Sequence, residues 1–190
     1  LATDTGPADR RLTLLPGLCS PADIRQLRAW LAAYALEPIV TTDYSDTLDV
    51  PAWQEHHPLP PGGTTLADLA ATGRSRAALV LGGAWAPGQN PATALAALGV
   101  PIFEHGLPIG VQACDAVDDR LRELARGAGL PTDTAAAQAL EAERGRLIDA
   151  YVDGHKFIST RRVAIAAEED LAVALAGFLG EIGAEVVAVA

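Results

Sequence analysis

Few residues of this chain are of types that do chemistry, and they are sparsely spaced. Cys19 and Cys114 stand far apart. Their spacing is neither a disulfide scaffold nor a zinc or iron–sulfur ligand motif. Cys19 directly precedes Ser20-Pro21-Ala22-Asp23, which reads as a helix start, and a helix N-terminus lowers a thiol's pKa. Cofactor binding or nucleophilic attack by Cys19 therefore stands against a small half-buried thiol with no second cysteine near. Cys114, between Ala113 and Ala116, reads as packing. His105 follows an apolar run, where the ligands of open α/β sheets bind. Cofactor binding there stands against a hydrogen-bonded rim histidine. His56 and His57 are adjacent in a Pro-rich stretch and point different ways, so one at most joins a metal site with distant partners.

Other combinations read as framework. Asp149 and Asp153 share a helix face at i, i+4, with Arg146 and Lys156 as ion-pair partners at i, i+3. His155 points nearer the apolar stripe, so the three do not converge as a metal site from one helix. Gly62-Gly63 and Gly82-Gly83 suggest phosphate loops, yet neither is G-x-G-x-x-G and neither has a lysine close by. A tight turn is the plainer reading of each. No Ser-His-Asp order, H-E-x-x-H or C-x-x-C pair occurs. The sequence thus nominates no catalytic residue and no metal ligand, and only Cys19 and His105 as cofactor-binding candidates.

The elements that must position these residues follow a regular alternation. Leu12–Leu15, Ile39–Thr42, Ala77–Leu81 and Val100–Phe103 are short apolar runs that read as buried parallel strands. Ser20-Pro21-Ala22-Asp23 starts a helix carrying Ile24, Leu27, Leu31 and Tyr34 at helical spacing, and Pro38 marks its exit. Residues 43–63 form a long loop, of a length that is often functional. Thr65-x-x-Asp68 is a capping-box pattern opening a short helix. Pro91–Leu98 reads as another short helix. Residues 111–126 predict a helix with Val117, Leu121 and Leu124 inward and Asp118, Asp119 and Arg122 outward. Residues 134–158 predict a long helix striped by Leu140, Leu147, Ile148, Tyr151, Val152, His155 and Ile158. A strand at Val163–Ala166, a helix at Asp170–Leu179 and a strand at Glu185–Ala190 complete the order.

This is an α/β chain of Rossmann-like parallel-sheet layers with right-handed crossovers. The expected organisation is a polar lead-in at 1–11, a Rossmann-like domain at 12–130, a connecting helix at 131–160 and the incomplete start of a second Rossmann-like domain at 161–190. The last of these leaves a hydrophobic strand edge to be covered.

Charge and composition exclude several classes. Fourteen Lys+Arg against 24 Asp+Glu give a net charge of −10. Nucleic acid and anionic membrane surfaces are themselves negative, so neither is an expected partner. Aromatics at 5 % offer no stacking platform for single strands. Apolar residues at 49 % allow a real core. No run reaches the length of a membrane span, and the first residues do not read as a signal peptide. The chain lacks methionine altogether, including at its start, so it reads as a piece of a longer protein.

The ordered segments carry more than composition does. They are Leu15-Pro16-Gly17, Ser20-Pro21-Ala22-Asp23-Ile24, Leu36-Glu37-Pro38-Ile39-Val40 and Asp43-Tyr44-Ser45-Asp46-Thr47-Leu48-Asp49. Gly62-Gly63-Thr64-Thr65, Gly99-Val100-Pro101 and Leu107-Pro108-Ile109-Gly110 follow. Then come Glu143-Arg144-Gly145-Arg146-Leu147-Ile148-Asp149 with Asp153-x-His155, Arg162-Val163-Ala164-Ile165-Ala166, and Asp170-Leu171. From about Leu12 to Ala190 the set resembles the middle of a β-type subunit of the nitrogenase component 1 superfamily. It is similar to the β subunit of the molybdenum–iron protein, and closer still to the NifN-type β subunit of the cofactor-assembly scaffold.

The resemblance implies subunits of three Rossmann-like domains, paired as cytoplasmic α/β hetero-oligomers. It implies a homologous α-type partner subunit and an ATP-dependent iron protein as electron donor. It implies an iron–sulfur cluster in the parent complex, held by cysteines of an N-terminal domain that this chain lacks. No cluster ligand carries over onto a residue here, so the fragment holds no cofactor and is catalytically silent alone. The Gly-Gly-Thr-Thr and Asp-x-His segments match as scaffold. Cys19 and the longer Trp53–Pro61 loop depart from the pattern. They leave room for a nitrogenase-like reductase with another substrate, such as a carbon–sulfur bond. A free-standing Rossmann-like module for a small ligand and a purely structural pairing domain are the alternatives.

Overall fold

The computed structural model describes residues 2–3, 9–49, 58, 62–83, 90–132 and 134–190. The chain divides into two compact units, one of residues 1–81 with 85–104 and one of 82–84 with 105–190.

The first unit carries strands β1 (Arg11–Leu15), β2 (Glu37–Val40), β3 (Ala77–Leu81) and β4 (Ile102–His105), the last ending at the unit boundary. They form one sheet in the order β2-β1-β3-β4. β1 pairs in parallel with both β2 and β3. The two inner strands are continuous apolar runs because helices cover both faces of such a sheet. Every residue of β3 is buried, as are Leu12, Leu14 and Leu15 of β1. Thr13 is the polar exception, and its hydroxyl meets that of buried Ser75 at 2.8 Å.

Helix α1 (Pro21–Ala33) packs Ile24, Leu27 and Leu31 inward. It ends at Tyr34, before the proline that the sequence marks as its exit. Ala35 takes a positive φ of 54°, donating to the Ala32 carbonyl, while the Leu36 amide bonds to Leu31. Pro38 lies inside β2, which begins and ends two residues earlier than the sequence predicts. A proline without an N–H is tolerated there because β2 is an edge strand. α2 (Leu66–Ala71) runs into a 3₁₀ turn at Thr72–Arg74. α3 (Pro91–Ala97) packs Ala92 against Leu15 and Val80, and Leu95 against Ala78 and Val100.

The second unit holds α4 (Val111–Gly127), α5 (Thr134–Ile158), β5 (Arg162–Ile165), α6 (Glu169–Glu181) and β6 (Glu185–Val189). β5 and β6 pair in parallel across α6, with an irregularity between Val163 and Ala164. α4 buries Val117, Leu121 and Ala125, whereas Leu124 is only partly covered. α4 packs on α5 and α6, all within this second unit. α5 spans the predicted 134–158, but no residue in it is buried. The stripe read from its sequence is covered only in part. Val152 is 61 % exposed, and Phe157, off the stripe, is 73 % exposed.

Candidate functional site

Ligands of parallel α/β sheets gather where strands end and helices begin, because the free N–H groups of a first helical turn attract anions. At the described helix starts some of those groups are met by the chain's own side chains. Ser20 and Asp23 form a capping box on α1, as Thr65 and Asp68 do on α2. Asn90 accepts from the Ala92 amide at the start of α3. Glu168 accepts from the Asp170 and Leu171 amides of α6.

The loop after β2 is pinned to α1. The Asp43 carboxylate accepts from the Ser45 N–H at 2.9 Å, the Ser45 hydroxyl at 2.6 Å and the Arg28 guanidinium. Burial would raise this carboxyl, but the Ser45 and Arg28 bonds outweigh it and hold Asp43 below the usual carboxylate range. The Asp43 amide donates to Thr64 Oγ1, which donates to the Val40 carbonyl at 2.6 Å. Arg25 reaches the Ser45 carbonyl at 2.7 Å and Asp49 at 2.6 Å. Gly62-Gly63-Thr64-Thr65 therefore closes a loop anchor instead of a phosphate loop. His56, His57 and all of Trp53–Pro61 except Pro58 lie outside the described residues.

Cys19 sits against this anchor. Its N–H donates to the Tyr44 hydroxyl at 3.2 Å, and that hydroxyl donates to the Cys19 carbonyl at 2.5 Å. The expected drop in thiol pKa is not found. Burial and the nearby Asp23 carboxylate push it up, against a smaller lowering by Tyr44. The α1 dipole is already met by Asp23, so the helix start adds a negative neighbour to the thiol.

In the second unit a cleft of about 510 Å³ opens between the start of α4 and one face of α6. Its walls include Gly106, Leu107, Gln112, Val173, Asp170 and Glu181. Asp170 Oδ1 accepts from the Gly83 N–H at 2.6 Å, so Gly82-Gly83 receives a carboxylate from its own chain. A Cβ on Gly82 would fall 2.6 Å from Asp170 Oδ2. Glu181 accepts from the Val111 N–H at 2.8 Å, the Gln112 N–H at 3.1 Å and the Tyr151 hydroxyl at 2.9 Å. Burial first, and then the Glu181 bond, push the Tyr151 phenol up to about 12.

Cys114 is packed as the sequence suggests. Its thiol donates to the Pro108 carbonyl at 3.2 Å, and burial, with Asp115, Glu181 and Asp118 nearby, pushes it up to about 11. His105 is the last residue of β4 and not the residue after it. Burial first, and then the Arg120 cation, lower its pKa and favour the neutral imidazole.

On α5, Lys156 pairs with Asp153 as predicted. Arg146 pairs instead with Glu143, which lies N-terminal to it, an order the helix dipole favours. Arg144 makes two 2.7 Å bonds to Asp115 of α4, and His155 Nδ1 lies 3.0 Å from the Ile182 carbonyl. Sequence reasoning missed Tyr44, Arg28, Arg144, Tyr151 and Glu181, because each acts on a residue more than ten positions away. Cys19 and His105 fall in different units. Among the described residues no three His, Cys, Asp or Glu side chains gather as a metal site. The chain's two cysteines lie one in each unit, so neither unit presents the set of four thiolates that holds an iron–sulfur cluster.

These features define a class: a Rossmann-like α/β framework in which the described starts of α1 to α4 and α6 are capped by its own side chains. The family described as nitrogenase component 1 type oxidoreductase matches residues 1–190, and the chain belongs to it. The chain is 33 % identical to the nitrogenase molybdenum-iron protein beta chain of Clostridium pasteurianum, over 97 % of this chain and 38 % of that one. It is equally 33 % identical to the nitrogenase iron-molybdenum cofactor biosynthesis protein NifN of Klebsiella pneumoniae, over 92 % of this chain and 36 % of that one. Identity therefore does not rank the catalytic type against the assembly type. A solved structure described as nitrogenase Cp1 at pH 6.5 superposes with a TM-score of 0.86 at 31 % identity, covering all of this chain and 40 % of that one. The chain spans less than two fifths of the length of these curated relatives.

Proposed function

We propose that this chain is the structural and subunit-pairing part of a β-type subunit in a nitrogenase-component-1-like complex. That complex is an iron–sulfur oxidoreductase of nitrogen fixation or the scaffold on which its iron–molybdenum cofactor is assembled. The observation that carries the reading is α5: 25 residues of helix with none buried, bearing exposed Ile148, Val152 and Phe157. A helix of that length with so much apolar surface in water suits a packed assembly better than a free module.

The closed helix starts support the same reading. With Glu181 on the first amides of α4, that position offers little to a phosphate, which weighs against a free-standing nucleotide module. The pairing partner is a homologous α-type subunit, and the electron donor is an ATP-dependent iron protein. Clusters reside elsewhere in the parent complex. Cys19 and His105 are proposed only as single contacts to a cofactor held there. The 131–160 segment serves as connecting helix and 161–190 as the start of a further Rossmann-like layer. We place the complex in the cytoplasm. Among the described residues, no helix is long and apolar enough to cross a membrane.

The test is anaerobic purification of the intact natural gene product, scoring co-purifying subunits, iron and acid-labile sulfide. A homologous partner with iron and sulfide is the expected result, and a substrate-reduction assay then separates enzyme from scaffold. An iron-free single subunit would sink the proposal.

A further inference from the structure

α4 differs from the other helices whose starts are described, because nothing local caps it. Its N-cap is Gly110, at φ 96°, with no side chain to offer. α1, α2, α3 and α6 are each capped from within four residues of their starts. For α4 the acceptor is the last residue of α6, some seventy positions downstream. The site is fitted to it: a Cβ on residue 110 would lie 2.9 to 3.1 Å from the Glu181 carboxylate atoms. Tyr151 of α5 closes the third side, touching both Glu181 and the Val111 amide.

We propose that Glu181 is a tertiary cap that makes the first turn of α4 conditional on the docking of α6. Without α6 in place, the Gln112 amide has no acceptor and the Val111 amide keeps only the Tyr151 hydroxyl, and unmet donors fray a helix end. The first turn of α4 carries Gln112 and Ala113, which line the cleft. That cleft wall therefore forms only when the β5–α6–β6 layer has folded against α4, and the device orders the assembly of the unit. Tyr151 acts as a positioning residue, holding the carboxylate over the amides. The rest of α4 does not depend on the cap, since Val117, Leu121 and Ala125 are held by burial.

The test is amide hydrogen exchange on the full chain, comparing wild type with Glu181→Ala, Glu181→Gln and Tyr151→Phe. In Glu181→Ala the Val111 and Gln112 amides should exchange about tenfold faster, with Leu121 and Ala125 unchanged. Glu181→Gln keeps one acceptor oxygen and should restore part of the protection, and Tyr151→Phe should give an intermediate loss. Should Glu181→Ala fail to fold, the Gln and Phe variants carry the comparison. Equal exchange at Val111 and Gln112 in all four proteins, or a loss spread evenly along α4, would overturn the proposal.

Discussion

Ala35 shows how much one residue can hide. α1 ends in a motif where the C′ amide bonds two residues back from the cap and the next amide bonds three back, with Leu36 buried as its apolar clasp. Glycine is the usual C′ residue because a left-handed φ costs an L-residue about 1–2 kcal/mol. Alanine at φ 54° bears that cost, and no glycine signals the stop. Ala35→Gly should raise stability by about 1 kcal/mol, read as a higher urea midpoint with an unchanged slope. A lower midpoint would mean that the methyl group packs in a way that outweighs its strain.

The loop anchor on α1 is the element whose energetics reach furthest in sequence. Asp43→Asn removes a charge that accepts from Ser45 and Arg28, and should cost about 2 kcal/mol near neutral pH. The acid dependence follows from the lowered Asp43 pKa. The folded state holds the carboxylate more strongly than the unfolded one, so its stabilisation is complete above the ordinary carboxylate value of 3.8. It is lost as pH falls through the lower folded value. Urea midpoints of wild type and Asp43→Asn should therefore converge in acid. A gap that stays constant from pH 7 down to pH 2.5 would contradict the assignment.

Elements of this kind differ in how plainly the sequence announces them. β3 at 77–81 and α5 at 134–158 are legible to the residue, one as an unbroken apolar run and the other as a long periodic segment. The two capping boxes are legible because cap and capped residue sit three apart. α4 is legible as a helix, yet its cap is not, since nothing near Gly110 points to Glu181. The anchor is half legible: Asp43–Asp49 stands out as a polar run, while its dependence on Arg25 and Arg28 needs the fold to bring α1 alongside. At Cys19 the helix start is legible from the sequence, whereas the raised thiol pKa follows from burial and from the Asp23 carboxylate seated on that start.

At the scale of the molecule, apolar surface and charge point the same way. The chain carries a net charge of −10 and still leaves Val152 and Phe157 largely in water. Residues held by burial within a unit should be costly to change, while these two should not be. Val152→Ser and Phe157→Ser should each leave the stability of the isolated chain within about 0.5 kcal/mol. In the intact gene product the same changes should reduce recovery of the partner subunit in a pull-down. Full recovery with both changes present would remove α5 from the pairing surface.

The glycines that face carboxylates constrain the history of the family as well as its fold. At Gly110 a side chain would be strained by φ 96° and would have to displace the Glu181 carboxylate, and at Gly82 the same holds for φ 91° and Asp170. Shortening the acid removes only one of the two obstacles, so the route of descent has a direction. Loss of the carboxylate leaves the glycine unstrained, whereas loss of the glycine both strains the backbone and displaces the acid. Homologues should therefore hold glycine at 110 and 82 in more members than hold the acids at 181 and 170, and an acid without its glycine should be the rarest pairing.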